Sequence, residues 1–260
     1  MKARRACAAL LLAASFAAAA VAAPAGWARI PGGAFKSALR YEDAPSGAGV
    51  GTFELMQTPV TNGGYLAFVR SNPQWRRGHA PLALAESRYL SHWEGALTPG
   101  PGAPADQPVT WVSWFAASAY CEAMEARLPT WQEWEYVAAA DESRTDARAD
   151  PAWRERILGW YSRPSNTALP AVGREPPNAF GVQDIHGLVW EWVDDASSLL
   201  VSADDREQGS PDRQRFCGAG AIAMDDRDNY AILMRVAMLS SLAAADATGN
   251  LGFRCARDLR

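Results

Sequence analysis

Pro108 to Tyr136, PVTWVSWFAASAYCEAMEARLPTWQEWEY, is the stretch whose local structure is most fully specified. Ser113 stands as a helix cap before Trp114, and Trp114, Ala117, Cys121 and Met124 fall on one stripe of the ensuing helix. Arg127-Leu128-Pro129 stops that helix. Thr130 and Glu133 then stand in the relation of a capping box, and Trp134, Val137 and Ala138 form the buried face of a second helix. Asp141 to Asp150 is charged and reads as an exposed loop.

Toward the N-terminus, residues 74 to 108 carry Pro, Gly, Arg and Trp without a period. Leu97 to Pro108 is the most linker-like part, but the segment after it has no independent start, so no domain boundary is placed there. Thr61 can cap a helix bearing Tyr65, Phe68 and Val69 on one face and ending at Asn72-Pro73. Phe53 to Met56 reads as a strand, Arg40 to Gly51 as a loop, and Ile30 to Phe35 as an opening strand broken by a turn. Ahead of these, Lys2, Arg4 and Arg5 precede an uncharged Ala/Leu run ending in Ala20-Val21-Ala22. Residues 1–22 therefore read as a secretory signal peptide and 23–260 as one mature domain, exported and expected in the periplasm. Cys7 leaves with the leader, and no later run is apolar enough to span a membrane.

Toward the C-terminus the chain reads as irregular from Pro151 onward, with strand candidates at Val189 to Val193, Tyr230 to Val236 and Leu251 to Ala256. A net charge of −4 disfavours nucleic acid or an anionic membrane as the main partner. Trp 11, with Gly 21 and Pro 17, points to a loop-rich fold pinned by large aromatic side chains.

Several segments, in order, resemble the formylglycine-generating enzyme, or sulfatase-modifying factor, family. They are Pro31-Gly32-Gly33-Ala34-Phe35; Pro59-Val60-Thr61-Asn62; the stretch from Pro108 to Tyr136; Asn178, Gly181, Asp184-Ile185, Gly187 and Val189-Trp190-Glu191-Trp192; and Gly249-Asn250-Leu251-Gly252-Phe253-Arg254-Cys255. The resemblance spans nearly the whole mature chain. It implies an α+β domain related to C-type-lectin-like folds, with little regular secondary structure, and a structural disulfide between Cys121 and Cys255.

Enzymes of that family oxidise a substrate cysteine to formylglycine with dioxygen, using two cysteines near the C-terminus that hold copper(I). Here Gly218 to Arg254 contains no cysteine, and the family's arginine-rich segment is reduced to Arg235, so copper(I) held by that pair is not expected. The family also carries calcium sites. Leu188 stands where an Asn is usual, which leaves Asn166 and Glu191 as oxygen donors for a possible calcium ion.

Cys217 is left over from the disulfide and reads either as a buried inert thiol or as a reactive one. Glu191, between Trp190 and Trp192, is a carboxylate among apolar neighbours. It must be paired, metal-bound or shifted in pKa, and it is the leading candidate for a structural ligand or an acid/base residue. Trp190, Trp192, Asp184, His186 and Arg235 are the cleft candidates, whereas His79 and His92 receive no site. Two functions are compatible with these features. One is an accessory or maturation factor for a periplasmic protein or metabolite; the other is a periplasmic oxidoreductase using the family cleft without dithiolate copper, with true formylglycine synthesis behind both.

Overall fold

The computed structural model describes residues 26–38, 49–162, 168–196 and 230–259. Its strands are short: β1 (Trp27–Ile30), β2 (Gly33–Ala34), β3 (Gly49–Val50), β4 (Phe53–Met56), β5 (Trp190–Glu191), β6 (Leu251–Gly252) and β7 (Ala256–Asp258). The helices are α1 (Asn62–Ser71), α2 (Trp114–Ala123), α3 (Trp131–Ala138), α4 (Pro151–Tyr161) and α5 (Tyr230–Ser240), with one 3-10 turn at Pro73–Trp75. The mixture is α+β with little regular structure, as expected. Among the described residues no helix is long and apolar enough to cross a membrane.

Strands β1, β4 and β7 form an antiparallel sheet with Ile30 opposite Phe53 and Leu55 opposite Ala256. The opening strand is two strands, parted at Pro31-Gly32. A Cβ on Gly32 would lie 2.5 Å from the Val50 carbonyl oxygen, so the close approach of the two chain segments requires glycine there. β5 and β6 pair in parallel, Glu191 beside Gly252, and this small ladder sits at the centre of a buried polar network.

Local chemistry sets the helix starts. The Thr61 hydroxyl accepts from the Gly64 amide at 3.1 Å, and α1 buries Tyr65, Phe68 and Val69. The capping box before α3 is present in both directions, Glu133 N–H to Thr130 Oγ1 at 3.2 Å and Thr130 N–H to Glu133 Oε2 at 2.9 Å. In α2 the buried stripe is Ala116, Ala117, Tyr120 and Cys121, rotated from the expected one. Met124 is the C-cap and lies exposed, because the chain leaves the helix there and Glu125 turns to φ +54°.

Two expectations are corrected. The region after Pro151 is not irregular throughout: residues 151–161 form α4, which starts on an Asp150 side chain that accepts from the Ala152 amide at 2.9 Å with Pro151 in the first turn, whereas residues 168–189 are irregular as expected. Tyr230 to Val236 is not a strand but the first two turns of α5, since the apolar residues on either side of Arg235 continue without alternation to Leu239, a length that suits a helix better than a strand.

Tryptophans pin the loops, and their indole N–H groups are hydrogen-bonded: Trp93 to Asn62 Oδ1 at 3.1 Å, Trp114 to the Val193 carbonyl at 2.9 Å, Trp192 to the Val112 carbonyl at 2.9 Å. Trp75, Tyr89, Leu90, Trp93 and Ala103, from the aperiodic segment, belong to the same core as the sheet and α1 to α3. Cys121 and Cys255 form a disulfide that fastens α2 beside β7 across 134 residues. Closing so long a loop stabilises by roughly 2–5 kcal/mol.

Candidate functional site

β5 places Glu191 with no exposed surface, and its carboxylate meets Arg254 from the segment after β6. Arg254 Nη2 lies 2.8 Å from Oε1 and Nε 2.9 Å from Oε2, and the Trp134 indole donates to Oε2 at 2.9 Å. The remaining Arg254 donors are also placed: Nη1 on the Met56 and Gln57 carbonyls at 3.1 and 3.2 Å, and Nη2 on the Gln183 carbonyl at 3.0 Å. One arginine thus joins β4, the Asp184 loop and the parallel ladder. Gly252 lets the backbone at Val109 pass close to the ladder, since a Cβ there would lie 2.6 Å from the Val109 carbonyl oxygen.

Arg235, from α5, adds a second guanidinium. It is 2% exposed, donates to the Glu191 carbonyl oxygen at 2.5 Å and lies over the Trp134 ring at 3.4 Å. Burial pushes its pKa down to about 10, against the attraction of Glu191. Its Nε has no partner among the described residues.

Beside this network is a cavity of about 230 Å³, walled by Trp153, Arg156 and Trp160 of α4 and floored by Asp184 and His186. Asp184 sits at φ +56° and accepts from the Gly173 amide at 2.5 Å, so it bonds a backbone amide as expected, but one eleven residues away. Burial raises its carboxyl above the usual range, against the pull of the Gly173 amide and Arg254. The His186 ring is wedged edge-on between Trp134 and Trp153, with Nε2 at 2.8 Å from the Ala138 carbonyl oxygen. That contact assigns the proton to Nε2 and leaves Nδ1 a buried acceptor without a partner among the described residues. Burial lowers the His186 pKa to about 4, so the ring is neutral at physiological pH. His186 is therefore not an acid at neutral pH, and its buried Nδ1 does not open onto the cavity.

Trp192 is buried in the core, whereas Trp190 is half-buried and packs on Trp160 and Tyr161 at 5.5 and 4.9 Å. Burial pushes the Tyr161 hydroxyl up to about 12. The structure therefore gathers Asp184, His186, Trp190, Glu191 and Arg235 into one region and places Trp192 behind it. Cys217 and Asn166 lie outside the described residues.

Neither family metal fits the donors present among the described residues. Cys121 and Cys255 are joined to each other, and Gly218 to Arg254 supplies no thiol for copper(I). Glu191 is corrected as a calcium ligand, because a guanidinium and an indole already occupy its oxygens and a dication would have to displace a buried like charge. The same pairing leaves it no free oxygen edge for acid/base work. Arg254 is the functional residue that sequence reasoning does not single out. It stands in Gly252-Phe253-Arg254-Cys255, where a charge between buried apolar residues signals a partner as clearly as Glu191 does. The α4 wall is absent from the sequence reading together with the helix itself.

Compared with known families, residues 13–259 match the model of the sulfatase-modifying factor enzyme 1-like domain. The chain is similar to a formylglycine-generating enzyme of Streptomyces coelicolor, 31% identical over 90% of this chain and 89% of that one. It is also similar to the inactive C-alpha-formylglycine-generating enzyme 2 of Mus musculus, 26% identical over 87% of this chain and 84% of the relative. Among solved structures it is similar to that of CarF, with a TM-score of 0.49 at 18% identity, covering 91% of this chain and 99% of that one.

Proposed function

Since the chain belongs to the sulfatase-modifying factor enzyme 1-like family, we propose that it is an exported accessory or maturation factor that keeps the family frame without dithiolate copper oxidation. Its target is a periplasmic protein or metabolite. The observation that carries this reading is the donor set: no cysteine between Gly218 and Arg254, and Cys121 tied to Cys255. A soft monovalent ion needs at least two well-placed soft donors, and Cys217 offers one. A relative named as inactive, matching over most of both chains, supports the idea that this frame persists without the oxidase activity.

Within this reading, this chain's own residues bind and orient. Arg254 and Glu191 hold the floor rigid, and Trp153 and Trp160 supply apolar walls, with Trp190 packed against Trp160. Export rests on the leader in residues 1–22, and N-terminal sequencing of the secreted protein should begin at or near Ala23. The chemical half is tested by copper(I) competition against a chromogenic chelator, using purified mature protein. The expected result is no tightly held copper. One tightly held equivalent, lost in Cys217→Ser, would overturn the proposal.

A further inference from the structure

The cavity of about 230 Å³ between α4 and the Asp184 loop carries a charge pattern that the Glu191 network does not use. Asp141, Glu142, Glu175 and Asp184 line it, against a single cation, Arg156. Two of these carboxylates are already matched: Arg144 pairs with Asp141, and Arg156 turns two donors to Glu142 at 2.8 and 3.3 Å. Glu175 and Asp184 remain. The exposed Glu175 uses its backbone carbonyl, on Gln183 Nε2 at 2.7 Å, while its carboxylate has no partner among the described residues.

Asp184 is 7% exposed, and its Oδ2 accepts the Gly173 amide at 2.5 Å. Oδ1 has no donor among the described residues. It is not among the polar atoms sealed off from the surface, so the little surface that Asp184 keeps includes this oxygen. A carboxylate so deeply buried is normally hydrogen-bonded on both oxygens, because leaving one unmatched is costly. No described guanidinium reaches it. Arg254 directs its donors to Glu191 and to the Met56, Gln57 and Gln183 carbonyls, and Arg156 is held by Glu142. Glu175 is close enough for its charge to add to the burial that raises the Asp184 carboxyl.

The opposite wall is apolar and aromatic, made of Trp153, Ile157 and Trp160. An indole face attracts a cation through its ring quadrupole and covers hydrocarbon equally well. An anion would meet two unmatched carboxylates, and a neutral molecule would leave their charge uncompensated. The lining therefore selects a cation, and the unmatched Oδ1 selects one that carries N–H groups. The volume is below that of drug-sized sites, about 300 Å³ and upward, and suits a single alkyl chain.

We propose that this cavity binds a primary alkylammonium ion, its N–H groups on Asp184 Oδ1 beside Glu175 and its chain against Trp153, Ile157 and Trp160. A lysine side chain of a protein and a free amine present the same group. This ligand class deepens the accessory-factor reading and rests on it for the cleft having a target. Its test involves no copper, so the two can fail separately.

The test is calorimetric titration of the purified protein with n-pentylamine, with 1-pentanol and pentanoate as neutral and anionic counterparts of the same length. Saturable binding is expected of the amine alone, weakening as ionic strength rises. In protein labelled with ¹⁵N-tryptophan, the indole resonances of Trp153 and Trp160, assigned by their loss in Trp153→Phe and Trp160→Phe, should shift with the amine and not with its counterparts. Asp184→Asn keeps an acceptor for the Gly173 amide, and Asn tolerates the φ of +56° found there. It should bind the amine about tenfold more weakly or worse, the loss of one charge-assisted hydrogen bond. Glu175→Gln, on the surface, is the second arm and should weaken binding by about two- to fivefold. Nα-acetyl-lysine methylamide separates the sources: affinity matching the amine's assigns the site to a lysine side chain, and binding of the amine alone to a free amine. Absence of amine binding overturns the proposal, as does equal binding of all three five-carbon probes or amine binding that Asp184→Asn and Glu175→Gln leave unchanged.

Discussion

The Glu191 network and the surroundings of His92 are two ways of burying polar atoms in one small fold. In the first, a carboxylate without exposed surface has donors on both oxygens, and Arg254 distributes its hydrogen bonds over three chain segments. In the second, an imidazole has both nitrogens buried and neither matched among the described residues. Saturated polar groups specify architecture, because removing any one member leaves the others stranded. Unsaturated ones contribute no hydrogen bond to the folded state, so an apolar residue of similar shape can take their place at little cost. By this measure the residue that reads as catalytic from sequence, Glu191, is a structural keystone, and His92 is a buried ring that holds nothing together through its nitrogens.

The largest effect should come from breaking the saturated network. Glu191→Gln leaves a buried guanidinium without its counter-charge and should cost about 3–5 kcal/mol, read by chemical denaturation. Glu191→Leu combined with Arg254→Met should cost less than the sum of the single variants, since the stranded partner is then absent. Strict additivity would mean that the two side chains do not act as a pair.

A smaller, graded effect should appear with pH. His92 and His186 both have folded pKa values near 4, lowered by burial, against about 6.5 in an unfolded chain. The groups around His186, namely Arg235, Arg156 and Arg254, push the same way, while the Ala138 carbonyl opposes them; beside His92 the charge is Arg77. A depressed histidine takes up its proton on unfolding, so stability is full above about pH 6.5 and falls as the pH drops toward 4. The slope should approach roughly two protons per molecule and drop to roughly one in His186→Gln. A pH-independent midpoint across that window would contradict the burial of both rings.

The smallest effect should come from the unsaturated site. His92→Leu removes two unmatched polar atoms and fills the same space, so stability should stay within about 0.5 kcal/mol of the parent or rise. A loss as large as that of Glu191→Gln would erase the distinction between the two regions.

Legibility in the sequence divides along the same line. The Thr130–Glu133 capping box, the α1 cap at Thr61 and the α1 core face are readable because they depend on residues three or four apart. The Cys121–Cys255 disulfide comes through the family resemblance. α5 reads as a strand because Tyr230 to Val236 is nearly uniformly apolar and carries no period. α4 goes unread although Asp150-Pro151 signals a start, since charged residues interrupt its Trp153 and Ile157 face. That Glu191 needs a partner is readable. That the partner is Arg254, 63 residues on, is not, because long-range pairing leaves no local trace. His92 escapes for the same reason, its neighbours being assembled from α1, the proline-rich turns and the Gly249 loop.

The central claim, a family frame without the dithiolate chemistry, is tested most directly on product. Purified protein should be supplied with copper(I), dioxygen and a sulfatase-type cysteine peptide, and the peptide read by mass spectrometry. The account predicts that the cysteine is recovered unchanged. Formylglycine in the peptide, absent when Cys217→Ser is used, would contradict it.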